Sequence, residues 1–330
     1  MRALVTGGAG FVGSHITDAL LARGHEVTVY DRLTTGTTKF LEVPLGLGGN
    51  PRNGHLSLVK GDILTRTLLS KTMRGHDTVF HVAANADVRG GVINREIDLE
   101  QNAVGTHSVL EAVRQNDVRR IVFTSSAVVY GEPTVIPTPE DYHGLQTSLY
   151  GASKLAAEAL IEAYVHYYGI EAETFRFVSL IGERYTHGVV FDFVNKLKAN
   201  PHTLEILGDG NQRKSYLHVV DAVSGILCAF DHHASDKGKV NVYNLGHTEA
   251  MDVKRLADVV CDEMGIRGVS YKFTGGTRGW LGDSPLVILD THKIMGLGWR
   301  PSMTVEQGIR RTVRYLMDNP EMLVRRAKAA

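Results

Sequence analysis

The stretch "VTGGAGFVGSH", residues 5–15, places Gly7, Gly10 and Gly13 between a β-branched run and an amphipathic helical pattern. Glycines at that spacing permit a tight turn, close approach of an anion to the backbone, and close packing of helix on strand. The helix N-terminus then presents its amides to the anion. A glycine triplet alone has low specificity. Here the next strand-like run, 26–30 ("EVTVY"), leads directly into Asp31. A carboxylate at that place accepts hydrogen bonds from both ribose hydroxyls of a dinucleotide and repels a 2′-phosphate, so the pattern points to NAD over NADP. The neighbouring Arg32 is a weak counter-indication.

The same alternation runs through the first half of the chain. Strands are predicted at 2–6, 26–30, 56–60, 78–83, 120–124 and 171–177, with helices at 12–23, 65–74, 98–116 and 150–168. Short β-branched runs separated by helical patterns predict parallel strands joined by crossover helices, a doubly wound α/β sheet. The stretch 34–54, rich in Gly, Thr and Pro, predicts a loop. Further on the pattern loosens to helices at 189–199, 220–231 and 252–264 and a strand at 204–206. Residues 1–178 therefore read as a dinucleotide-binding domain that also carries the reactive side chains. Residues 179–330 read as a smaller C-terminal α/β substrate-binding lobe, with some segments returning to the first domain. The last six residues, "RRAKAA", read as a solvated helix end.

Bulk composition narrows the class. Of 330 residues, Lys plus Arg and Asp plus Glu number 36 each, which removes the positive field expected of a protein held on nucleic acid or anionic lipid. Hydrophobic residues at 43% and charged ones at 22% describe a chain with a real core. Cys228 and Cys261 make no disulfide scaffold and lack metal-ligand spacing, which suits a reducing cytoplasm. No metal is expected. The first strand pattern begins at Arg2 with no targeting segment before it, and no apolar run approaches the roughly 20 residues that span a bilayer. A soluble, cytoplasmic protein follows, with neither nucleic acid nor membrane as partner.

"YGASK", residues 150–154, sets Tyr150 and Lys154 one helical turn apart. Tyrosine ionises near pH 10, so at pH 7 only about one phenol in a thousand could act as a base. Bringing that value down by about 3 units takes roughly 4 kcal/mol of preference for the phenolate. A lysine on the same helix face supplies part of it. The preceding "FTSSAVVYG" (123–131) offers Ser126 as a hydrogen-bonding partner for the same substrate oxygen. His81 reads as a packed, hydrogen-bonded histidine, and His232 and His233 as weak metal candidates.

Taken with "FHVAA" (80–84), "DLEQNAVGT" (98–106), "GDGNQRKSYLHVVD" (208–221) and "LGW" (297–299), these segments resemble the extended short-chain dehydrogenase/reductase family. Within it, the chain is most similar to the UDP-glucose 4-epimerase-like nucleotide-sugar epimerases. The resemblance implies a Rossmann-type fold, NAD as cofactor, a nucleotide-sugar substrate and a homodimer. It implies that Gly7, Gly10, Phe11, Val12 and Gly13 lie by the pyrophosphate, Asp62 and Ile63 by the adenine, and Ala83 near a cofactor ribose. Asn102 would keep the helix and cofactor region in register, Lys154 would bind the nicotinamide ribose, and Ser126 would bind the sugar hydroxyl beside Tyr150.

Two departures bear on the reaction and the substrate. Where related 4,6-dehydratases carry an acidic pair, this chain has Ala127 and Val128, so dehydration lacks its general acid, and a decarboxylase glutamate is likewise missing. Plain 4-epimerisation needs neither. On the substrate side, Ser179 replaces a usual Asn, Lys214 a usual Arg, and Trp280 another Arg. The expectation is that Arg213, Lys214 and Arg278 share the substrate diphosphate, with Ser179 nearby.

Overall fold

In the computed structural model the described residues are 1–42, 54–88, 90–233, 239–280, 282–284 and 286–324. Much of the predicted 34–54 loop, and the 325–330 helix end, lie outside them. The chain forms strands β1 (Arg2–Thr6), β2 (Glu26–Asp31), β3 (Leu56–Lys60), β4 (Thr78–His81), β5 (Arg120–Ser126) and β6 (Glu171–Phe177). With the strand Val240–Leu245 they build one seven-stranded sheet, ordered from Val240–Leu245 through β6, β5, β4, β1 and β2 to β3. β1 is parallel to β2 and β4, β2 to β3, and β4 to β5. Ala3, Leu4 and Val5 are fully buried, as a strand covered on both faces requires. The sheet is the doubly wound parallel sheet that the alternation predicts.

Strand order reverses between β1 and β4. In such sheets ligands bind beyond the carboxyl ends of the strands at that reversal. Thr6 and His81, register partners at the ends of β1 and β4, mark the place. Phe11–Ala22, Arg66–Met73, Gly105–Gln115 and Leu149–Tyr168 are the principal helices of this region. Leu4, Val79, Ile121 and Phe123 from the sheet share a core with Val109, Val113, Ala157, Ile161 and Val165 from the helices.

The differences from the sequence expectation are local. β4 stops at His81, two residues before the predicted end. The predicted helix 98–116 begins as a π-helical turn, Leu99–Val104, before becoming the α-helix Gly105–Gln115. On the helix Leu149–Tyr168, the apolar positions Leu155 and Ala159 are exposed; the buried face is instead Tyr150, Ser153, Lys154, Ala157, Glu158, Ile161 and Val165. Polar residues can lie inward because each of Ser153, Lys154 and Glu158 has a hydrogen-bond partner there.

Residues 1–129, 148–176 and 226–243 form one compact unit; 130–147, 177–225 and 244–330 form the other. The second unit is built on short strands. Ser179–Ile181 pairs with Tyr216–His218, and Thr203–Ile206 with Ser270–Phe273, both in parallel. Arg213–Lys214 lies between Met251–Asp252 and Leu286–Val287. Its helix Val305–Asp318 was not anticipated, although the sequence carries the signal: Thr304 and Gln307 form a capping box at its start. Among the described residues no helix is long and apolar enough to cross a membrane.

Candidate active site

At the carboxyl end of β1 the backbone turns through Gly7, whose φ of 70° lies in the left-handed region. A Cβ on Gly7 would sit 2.7 Å from the Ala83 amide nitrogen, and one on Gly13 would sit 2.1 Å from the Gly7 carbonyl oxygen. The turn is therefore as close to its neighbours as backbone allows. The helix that follows starts after Gly10, which has no side chain to cap its first amides, with Phe11 and Val12 as its first residues. An uncapped helix start behind a glycine turn is suited to an anionic phosphate.

Asp31 ends β2, buried, with Oδ2 accepting from the Ala9 amide at 3.0 Å and Oδ1 from the Leu33 amide at 2.7 Å. Those bonds fix its carboxylate beside the turn and leave lone pairs for a ribose. Arg32, the possible 2′-phosphate ligand, is engaged elsewhere: its Nη1 lies 3.1 Å from Asp62 Oδ2. Asp62 also accepts from the Leu64 amide through Oδ1 at 3.0 Å. The Ile63 side chain is buried against Gly105, where a Cβ would meet it at 2.4 Å. The cradle of Gly7 and Gly13, the uncapped helix and the placed Asp31 together fit NAD.

His81 is fully buried and joins the turn to the next helix. Its Nδ1 lies 2.8 Å from Thr6 Oγ1 and its Nε2 3.0 Å from Thr106 Oγ1. Thr106 donates its hydroxyl proton to the Asn102 carbonyl, so it accepts from Nε2–H, which assigns the neutral Nε2–H tautomer. Burial holds the imidazole pKa down to about 3, with the Lys154 charge adding to the effect. This is a packed histidine that stays neutral near neutral pH. Thr6 Oγ1 also accepts from the Ala83 amide at 3.3 Å, fixing Ala83 over Gly7. Asn102 accepts from the Asn85 amide at 2.8 Å and donates to Ser153 Oγ at 2.9 Å.

The helix Leu149–Tyr168 is started by Ser148, whose hydroxyl accepts from the Gly151 amide at 3.0 Å, and ends on Gly169 at φ 67°. Its first turns carry Tyr150 and Lys154 inward. Lys154 Nζ donates to the Thr124 carbonyl of β5 at 2.9 Å and lies 4.7 Å from the centre of the Phe123 ring. Burial lowers the Lys154 pKa to about 8, opposed by the charges of Glu158 and Asp98. One turn on, Glu158 is locked by Arg176, with Nη2 to Oε2 at 2.6 Å, and by the Ser125 hydroxyl.

Ser126 is near enough to the Tyr150 phenol to favour its ionised form, and the amide of Val128 donates to Ser126 Oγ at 3.3 Å. The phenol's pKa is not lowered in the protein alone. Burial pushes it up to about 12, Ser126 pulls it back and Asp98 adds to the rise. Lys154 therefore does not by itself deliver the ionised phenol that the sequence pattern suggests, because desolvation of a buried phenolate dominates.

In the second unit, Lys214 pairs with Asp283, whose other oxygen accepts from the Gly279 amide at 3.1 Å. Arg278 pairs with Glu132 through both Nη atoms and donates to the Asp283 carbonyl at 2.8 Å. Lys214 and Arg278 thus converge on Asp283. Arg213 is exposed and precedes Lys214 on a strand, so its side chain leaves on the opposite face. The structure does not bring all three cations together as the sequence reading expects. Ser179 is exposed at the start of its strand.

Residues 3–246 match the family model described as the NAD dependent epimerase/dehydratase family. The chain belongs to that family of enzymes. It is 34% identical over 322 residues to a putative UDP-glucose 4-epimerase of Methanocaldococcus jannaschii, covering 96% of this chain and 98% of that one. Among solved structures, a UDP-galactose 4-epimerase is 36% identical with a TM-score of 0.84, covering 97% of this chain and 99% of the other. The dTDP-glucose 4,6-dehydratase from Streptomyces venezuelae superposes with a TM-score of 0.86 at 28% identity, over 97% and 98% of the two chains. Fold likeness therefore does not separate epimerase from dehydratase; the site residues have to do so.

Proposed function

We propose that the chain is a nucleotide-sugar 4-epimerase of the UDP-glucose/UDP-galactose type, acting through a transient 4-keto sugar. The observation that carries this reading is the buried Tyr150 with Ser126 beside it and a buried Lys154 one helical turn on, with no carboxylate at Ala127 or Val128. Tyr150 Oη takes the proton of the sugar hydroxyl while Ser126 donates a hydrogen bond to the same oxygen. Bound NAD supplies the hydride acceptor and donor, and its oxidised ring brings the positive charge that Lys154 alone does not provide. Tyr150 would return the proton to the sugar oxygen at the end of the cycle, so the exchange consumes no external oxidant. Dehydration would require a group to protonate the departing hydroxyl, and Ala127 and Val128 offer none.

In this reading Gly7, Gly10, Phe11, Val12 and Gly13 hold the pyrophosphate, Asp31 the adenosine ribose, and Asp62 with Ile63 the adenine. Ala83 and Lys154 serve the nicotinamide side, and Asn102 keeps both in register. Residues 1–178 carry these functions, and 179–330 mostly bind the nucleotide sugar, with Ser179, Lys214 and Arg278 toward the diphosphate. The protein acts in the cytoplasm as a homodimer through the helices Gly105–Gln115 and Leu149–Tyr168, where Leu155, Tyr167 and Tyr168 are exposed. Light scattering on the purified protein tests the last point.

The function is tested by incubating the protein with UDP-, GDP-, CDP-, ADP- and dTDP-sugars and reading stereochemistry by NMR. Interconversion of UDP-glucose and UDP-galactose without build-up of NADH is the expected result. NADH accumulating in proportion to product, or a 4-keto-6-deoxy sugar, would assign a dehydrogenase or a dehydratase instead.

A further inference from the structure

The first unit holds a buried carboxylate that the reaction above does not use. Asp98, only 1% exposed, immediately precedes the π-helical turn Leu99–Val104. Its Oδ1 accepts from Asn85 Nδ2 at 2.8 Å and from Asn102 Nδ2 at 3.5 Å. Asn102 in turn donates to Ser153 Oγ at 2.9 Å, and Ser153 donates to the Tyr150 carbonyl at 2.8 Å. The Asn85 backbone amide closes the arrangement on Asn102 Oδ1. A chain of hydrogen bonds therefore runs from the loop after β4, through the π-helical turn, to the residue that carries the phenol.

The other oxygen, Oδ2, is buried with no hydrogen-bond partner among the described residues. It lies against Gly91, where a Cβ would come within 2.2 Å of it. A buried acceptor without a partner is destabilising, so packing alone does not explain an aspartate here. π-Helical turns are themselves frequent at functional sites.

We propose that Asp98 is a positioning residue for the Tyr150–Lys154 pair: the Asp98–Asn102–Ser153 relay fixes the first turn of their helix, and the buried carboxylate keeps a negative charge within Coulombic reach of both. The inference rests on Tyr150 being the base. The other groups that face this pair are Ser126 toward Tyr150, Glu158 and His81 toward Lys154, and Asp87 toward Asp98 itself. The Asp98 charge favours the charged lysine and the neutral phenol. Removing it therefore moves both titrations to lower pH.

Two substitutions separate the relay from the charge. Asp98→Asn keeps an acceptor for Asn85 and Asn102 but removes the charge. Both limbs of its pH–rate profile are expected to move down by about half a unit, with hydrogen exchange at the Asn85 amide unchanged. Asp98→Ala removes the relay as well, and is expected to lose about 100-fold in turnover, as small misplacements of reacting groups do. Its KM stays near wild type, and exchange at the Asn85 and Gly151 amides rises. Gly91→Ala, which pushes on Oδ2 from the other side, is expected to raise the same exchange and decides the matter if Asp98→Ala does not fold.

A wild-type pH profile in Asp98→Asn together with wild-type exchange in Asp98→Ala, or in Gly91→Ala where Asp98→Ala does not fold, overturns the inference. Tyr150→Phe is measured in parallel. If it is inactive while Asp98→Ala behaves as wild type, only the role of Asp98 falls. If Tyr150→Phe turns over, the base assignment itself is wrong.

Discussion

The Tyr150 corner of the first unit and the Lys214–Arg278 corner of the second are both polar, but their charges are satisfied in opposite ways. Lys154 is held by a backbone carbonyl and an aromatic face, and Tyr150 has a neutral serine beside it, so among the described residues neither meets an opposite charge at hydrogen-bond distance. Lys214 and Arg278 each meet a carboxylate, Asp283 and Glu132. The first arrangement leaves charge to be used on a reacting atom. Under the proposed function, a diphosphate arriving at the second would have to compete with carboxylates already in place, which bears on affinity more than on rate.

Four measurements would break or sharpen this contrast. The largest effect is expected for Tyr150→Phe, which removes the proton acceptor and should cost about 1,000-fold in turnover with NAD still bound. Turnover within tenfold of wild type would end the assignment of Tyr150 as the base. Next comes Gly13→Ala. Its Cβ would stand 2.1 Å from the Gly7 carbonyl, and overpacking backbone on backbone should weaken NAD binding on the order of 100-fold, read by calorimetry.

Lys154→Met probes the energetic side of the same corner. Folding moves the lysine from its ordinary 10.5 to about 8, so the folded state disfavours the charged form and the lysine is a burden wherever it is charged. That depression corresponds to about 3 kcal/mol, of which the lost hydrogen bond to Thr124 offsets about 1. The variant should be about 2 kcal/mol more stable below pH 8, while turning over far more slowly. The wild type regains the difference as pH rises from about 8 toward 10.5, because the unfolded state then holds the extra proton. Urea denaturation at several pH values checks the sign, and a variant less stable at pH 7 would show that Lys154 is not paying a burial penalty.

The smallest effects belong to the second unit. Arg278→Ala should raise KM for the nucleotide sugar about tenfold with kcat little changed, and Arg213→Ala should stay within about twofold, since its side chain leaves on the other face. Equal effects of the two would mean that the strand presents both cations to the same ligand.

Much of the first unit is legible along the chain because its signals are local. Gly7, Gly10 and Gly13 are fixed by the shape of one turn, Asp31 by the end of the next strand, and Tyr150 and Lys154 by one helical turn. The π-helical start at Leu99 and the inward face of the Tyr150 helix were not legible. Of the apolar stripe Leu155, Ala159, Ile161 and Ala163, Ile161 is buried but Leu155 and Ala159 are exposed, because the helix turns inward the side chains that β5 and the Asn102 region can hydrogen-bond. Asp98 drew no attention in the sequence, since nothing in "DLEQNAVGT" tells that one of its oxygens is buried without a partner among the described residues.

What the sequence by itself determined is the glycine turn, the acid that ends the next strand and the tyrosine–lysine spacing, each the product of neighbours a few residues apart. Only the tertiary structure decided how those groups ionise and which cations stay available. Tyr150 is pushed to about 12 by burial. Lys214 and Arg278 are paired with carboxylates 69 and 146 residues away. Desolvation and Coulomb forces act through space, and no local pattern records what folding brings near.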